Sequence, residues 1–116
     1  YAESIIPLHI SRKTHEDAVR KFLVEELKQL WLISPKLEEQ EAILLSKKYL
    51  PYRTLNHHLG LDTHDVGSKV DSIKPNMVIT CEPGIYIPEE GIGFRLEDDI
   101  VITGDGYINL SRAIPL

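Results

Sequence analysis

The chain has 116 residues, 42% of them hydrophobic, and a mean hydropathy of −0.16, the composition of one globular domain or a piece of one. No apolar run approaches the ~18 residues of a membrane-spanning helix, and the start, Tyr1-Ala2-Glu3-Ser4, has neither the basic region nor the apolar core of a signal peptide. A net charge of −5 argues against a general nucleic-acid surface. The single cysteine, Cys81, excludes an internal disulfide framework and points to a reducing, cytoplasmic setting.

Along the chain, the first half reads as helical. Thr14 followed by Asp17 predicts an N-terminal cap, after which Val19, Phe22, Leu23, Leu27 and Leu30 recur at three- and four-residue spacing on one face. Ser34-Pro35 closes that helix and opens a second, weaker one over 36–48, with Lys47 and Lys48 near its negative end and Pro51 as its stop. The second half is punctuated by Gly and Pro and filled with β-branched residues. Met77–Glu82 predicts a strand halted by Pro83-Gly84, Ile85–Ile87 a short strand before a turn at Pro88–Gly91, and Gly93–Thr103 a longer strand. Gly104-Asp105-Gly106 then turns the chain tightly into Tyr107–Leu110. Helices followed by antiparallel strands make an α+β architecture, with no internal domain boundary.

Three places carry chemistry. The segment His57–Gly67 holds three of the five histidines and two aspartates. Such a loop can supply metal ligands or acid–base groups, or its histidines can simply be hydrogen-bonded. Glu82 ends an otherwise apolar strand, where it either reaches solvent or meets a cation, because an unpaired buried charge is costly. Glu97-Asp98-Asp99 interrupts the strand-like run 93–103, and alternation places Arg95, Glu97 and Asp99 on one face, where Arg95 can pair with Glu97. The whole acidic excess lies after residue 50, which fits either a solvated surface or a carboxylate-lined cation site. One imidazole with two carboxylates favours Mn²⁺, Co²⁺, Fe²⁺ or Zn²⁺. CxxC, HExxH, GxGxxG and P-loop patterns are all absent, and no Ser or Cys has a nucleophile-elbow setting.

In this order, three stretches resemble the pita-bread metallopeptidases, and within them aminopeptidase P and prolidase: His57-His58-Leu59-Gly60-Leu61-Asp62-Thr63-His64-Asp65-Val66-Gly67, Pro75–Tyr86 and Gly91–Asp99. The resemblance is close over residues 57 to about 107. It implies a pita-bread fold and release of an N-terminal residue that precedes proline, with two divalent ions (Mn first among the candidates) activating a water molecule. It further implies that His57 and Glu82 ligate one metal, that Glu97 bridges both, that His64 handles protons beside the substrate, and that Tyr86 and Arg95 hold the ligands in place.

Two departures accompany it. The family completes its metal pair with two aspartates on an earlier strand, about ten residues apart, yet before Asp62 the sequence offers only Asp17. Residues 1–116 therefore read as the C-terminal portion of a catalytic domain whose upstream half is absent, in keeping with the missing initial Met. The family also has a histidine four residues before the ligating one, where this chain has Arg53. The expectation is a partial metal site with little activity of its own. Unpaired sheet edges then favour a homo-oligomer. The alternative is a non-catalytic peptide- or protein-binding module on the same scaffold.

Overall fold

The computed structural model describes residues 2–6, 11–51, 55–68 and 72–115. Helix α1 spans Arg12–Gln29, and its cap is Ser11, whose hydroxyl accepts from the Thr14 N–H at 3.1 Å. The cap thus lies three residues before the Thr14 expected from sequence, and Thr14 is inside the first turn. Of the face expected, Val19 and Leu27 are buried and Phe22 and Leu23 half-buried; Val24, outside that pattern, is buried too, and the buried face continues toward the N-terminus through Arg12, His15 and Glu16. Leu30, expected on this face, is exposed, because the helix has ended and Trp31 turns the chain with φ 58°. Helix α2 is Glu39–Ser46, shorter than expected. Ser34 makes a turn instead of a helix start: its carbonyl accepts from Leu37 N–H at 3.3 Å and its hydroxyl from Lys36 N–H at 3.4 Å. Ser46, not Pro51, is where the helix stops. The Ser46 carbonyl takes the N–H groups of Tyr49 and Leu50 in a tight exit turn.

The strands form two antiparallel sheets. Strand β1 (Val78–Cys81) pairs with β4 (Asp98–Ile102), which pairs with β5 (Tyr107–Asn109). Strands β2 (Gly84–Ile87) and β3 (Ile92–Arg95) form a separate hairpin. The expected single strand 93–103 is therefore two strands, and the expected one-face grouping of Arg95, Glu97 and Asp99 does not hold across the break. The reason is a matched crossing. Pro83 has no N–H to extend the β1 ladder, so the chain leaves one sheet at Glu82-Pro83 and returns at Leu96-Glu97. The two crossings are tied by Leu96 N–H donating to the Pro83 carbonyl at 3.3 Å.

On the other edge of β1 the extended segment Leu55–Leu59 runs antiparallel. Glu82 N–H donates to Leu55 O at 2.9 Å, Thr80 N–H to His57 O at 2.9 Å and Leu59 N–H to Val78 O at 3.1 Å. Alternation divides β1. Ile79 and Cys81 join Ile100, Ile102, Ile73 and Ile6 in one core, so Thr80 and Glu82 point the other way. A second core holds Val24, Leu27, Ile33, Ala42, Tyr49 and Leu50, with Ile85 and Ile87 of β2 packed on it. Helices in the first half and antiparallel sheets in the second make the α+β class expected.

Candidate metal centre

Three elements meet where the chain crosses between sheets. His57 comes from the extended edge segment, Glu82 from the end of β1, and Glu97 from the link between β3 and β4. One ligand atom from each lies within 4.8 Å of the others. His57 Nε2 stands 3.3 Å from Glu82 Oε1. Ligands bound to one divalent ion at ~2.0–2.2 Å lie at about that mutual separation, so the donor set fits a single cation. Two further features support the fit. His57 Nδ1 lies 2.9 Å from the His58 carbonyl, which places a hydrogen on Nδ1 and leaves Nε2, on the side of Glu82, as the ring's ligand atom. Glu82 is 5% exposed, so the carboxylate that sequence leaves between solvent and cation is buried.

Its charge is held by named partners. Arg95 donates to Glu82 Oε2 and forms an ion pair with it. Arg95 therefore engages Glu82, a partner that alternation along a single strand does not suggest. Thr80 Oγ1 donates to Glu82 Oε1 at 3.3 Å and accepts from the His57 N–H at 3.0 Å, so one buried hydroxyl links both residues. Sequence reading missed Thr80. The available signal was its period-two relation to Glu82 within an apolar strand.

His64 lies on the exposed loop after the edge segment, and its ring centroid is 4.4 Å from that of His57 with the planes tilted by 51°. Asp65 shapes this loop: its carboxylate accepts from Leu61 N–H at 2.9 Å and Val66 N–H at 2.7 Å. Gly67 closes it at φ 151°, where an added Cβ would fall 2.0 Å from the His58 ring. Tyr86 is opposite Gly93 in the β2–β3 hairpin, and its ring lies where a Cβ on Gly93 would sit, 2.6 Å away. Gly93 thus makes room for the Tyr86 ring. The aspartate that precedes the site, Asp17, is on the exposed side of α1 in an ion pair with Lys13 and takes no part in the cluster. Arg53 lies outside the described residues. Cys81, at the back of β1, is buried in the core, and burial pushes its thiol up to about 12.

Comparison with known proteins agrees with the geometry. Residues 7–104 match metallopeptidase family M24. The chain is 39% identical over 102 residues to Xaa-Pro aminopeptidase 3 of Homo sapiens, covering 78% of this chain and 20% of that protein. It is 37% identical over 110 residues to the Xaa-Pro aminopeptidase of Escherichia coli, covering 83% and 24%. Among solved structures, a Zn-substituted E. coli aminopeptidase P in complex with product superposes with a TM-score of 0.85 at 34% identity, covering 98% of this chain and 28% of that one. Proline aminopeptidase P II of Yersinia pestis gives 0.85 at 31% identity, covering 97% and 29%. The chain thus spans about a fifth to a quarter of the curated relatives' length. By the family match over most of its residues and by its pita-bread architecture, the chain belongs to metallopeptidase family M24.

Proposed function

We propose that the chain is part of an Xaa-Pro aminopeptidase: it contributes His57, Glu82 and Glu97 to a divalent metal centre that removes an N-terminal residue from peptides with proline in second position. The observation that carries this reading is the convergence of those three ligand atoms within 4.8 Å around a buried carboxylate. A bound divalent ion, Mn²⁺ first and Co²⁺, Zn²⁺ or Fe²⁺ as substitutes, supplies the Lewis acidity that makes water nucleophilic near neutral pH. The chain's own residues do the rest of what can be assigned to it. The His58 carbonyl holds the proton on His57 Nδ1 and keeps Nε2 free to ligate. Arg95 and Thr80 aim the Glu82 carboxylate. Exposed Glu97 has an oxygen to spare toward a second ion. His64, exposed beside His57, exchanges protons with the substrate, and Tyr86 helps hold the ligands in place, as the family resemblance implies. The two carboxylates that complete a two-ion centre come from outside residues 1–116, which act as the C-terminal portion of the catalytic domain. We place the protein in the cytoplasm, with self-association through its open sheet edges. Among the described residues no helix is long and apolar enough to cross a membrane.

A chimaera tests the activity. The matching segment of the E. coli relative is replaced by this chain, and release of the first residue from an Xaa-Pro peptide is followed with added Mn²⁺. Activity lost on His57→Ala or Glu97→Gln supports the reading. A folded chimaera that binds the peptide without cleaving it would favour the binding module.

A further inference from the structure

Helix α1 places three polar side chains in the interior, and two of them reach the neighbour of His57. Arg12, His15 and Asn56 are 4%, 0% and 0% exposed. Buried polar groups of this kind persist only when hydrogen-bonded. Here they form a chain with one consistent polarity. Arg12 Nη1 donates to Asn56 Oδ1 at 3.3 Å, Asn56 Nδ2 donates to His15 Nδ1 at 3.2 Å, and His15 Nε2 donates to the Ala2 carbonyl at 2.8 Å. Arg12 Nη1 also reaches the Asn56 carbonyl oxygen at 3.4 Å.

That last contact matters because the Asn56 carbonyl and the His57 N–H belong to one rigid peptide plane. The plane is gripped at both edges. Arg12 holds its oxygen from the α1 side, and Thr80 Oγ1 holds its N–H from the β1 side at 3.0 Å. Thr80 in turn donates to Glu82. A continuous set of hydrogen bonds therefore joins α1 to two of the three ligand residues, although no α1 side chain belongs to the cluster.

We propose that Arg12, His15 and Asn56 are positioning residues for the cation site: they fix the Asn56–His57 peptide plane and with it the direction of the His57 imidazole. The proposal rests on the metal-centre reading given above. An outer partner that orients a ligand is worth about 10–100-fold in metal affinity when removed. A side chain that only fills the interior would change the folding midpoint and leave the ligand untouched.

The test uses Asn56→Ala and, further from His57, Arg12→Met with Arg12→Lys as its conservative counterpart. Each is studied well below its unfolding midpoint. The first readout is the ¹⁵N spectrum of the His57 ring without metal, which reports how firmly the hydrogen stays on Nδ1. The second is Mn²⁺ affinity by titration. The expected result is a single His57 tautomer in the parent chain, a mixture in Asn56→Ala and Arg12→Met, and affinity about tenfold weaker in both. Arg12→Lys should recover most of the loss. An unchanged tautomer in variants that are merely less stable would overturn the proposal. If the parent chain bound no Mn²⁺, the metal reading would fail, and the tautomer readout would still decide the positioning role. If Asn56→Ala did not fold, Arg12→Met would decide it.

Discussion

Thr80 is the residue whose position explains most about the site. Its hydroxyl is an acceptor for His57 N–H and a donor to Glu82, so one side chain ties together two of the candidate ligands. Thr80→Val keeps the shape but strands a backbone N–H, which costs about 1–3 kcal/mol. Thermal unfolding should show that loss, and Mn²⁺ titration a fall in affinity of about 10–100-fold. Glu82→Gln should abolish measurable cation binding and also lower the unfolding midpoint, since its single amide oxygen can accept from Thr80 or from Arg95 but not from both. His15 gives a pH effect of defined sign. Burial holds its pKa below the ordinary 6.5, against a smaller upward pull from the hydrogen bond to Ala2. Above pH 6.5 it is neutral in both states. As the pH falls through 6.5 the unfolded chain takes the proton first, so stability drops, and the drop is complete below the folded-state value. Denaturant unfolding between pH 7.5 and 5 should show His15→Gln losing less stability than the parent, by up to about 1.4 kcal/mol per pH unit. Cys81, pushed up to about 12 and buried, should react with thiol reagents at pH 8 only as fast as the chain unfolds.

At the scale of elements, the crossing at Glu82-Pro83 and Leu96-Glu97 generates the site. Each acid sits where its chain leaves a ladder, and the edge segment Leu55–Leu59 brings His57 alongside. Most of this was legible in the residues. Runs of β-branched residues bounded by Gly and Pro located β1 and β2, Gly104-Asp105-Gly106 located the β4–β5 turn, and the spacing of Val19 and Leu27 located α1. The candidate ligands His57, Glu82 and Glu97 were legible through the resemblance of three ordered stretches, whereas each alone also fitted a hydrogen-bonded loop or a solvated strand. The break at Leu96-Glu97 was not legible, because partner choice between two sheets is a tertiary matter that a run of strand-forming residues does not encode. The ion pair of Arg95 with Glu82 was not legible for the same reason, since it forms between the hairpin and the end of β1. The buried start of α1 was missed because Arg12, His15 and Glu16 read as solvent-facing in a hydrophobic pattern.

At the scale of the whole molecule, two features fit the proposal that residues 1–116 work with further chain. One is the candidate ligand set, an imidazole and two carboxylates that suit one cation, with Glu97 alone among these described residues exposed enough to reach a second. The other is exposed apolar surface. Ile108 and Leu110 at the β5 edge and Ile92 and Phe94 on β3 are all more than half exposed. An open edge with apolar side chains recruits another strand. Sedimentation at rising concentration should show dimers or larger species, and Ile108→Lys should shift the balance to monomer. Calorimetry on the isolated chain should show one weak Mn²⁺ site, not a tight pair.

The most direct test of the metal centre is an NMR titration with small amounts of Mn²⁺, whose unpaired electrons broaden nearby signals even when binding is weak. Signals of His57, Thr80, Glu82 and Glu97 should broaden first, and Glu82→Gln should remove the effect. Broadening centred elsewhere, such as on the Glu38–Glu41 acids, with the site signals left sharp, would contradict the metal-centre reading.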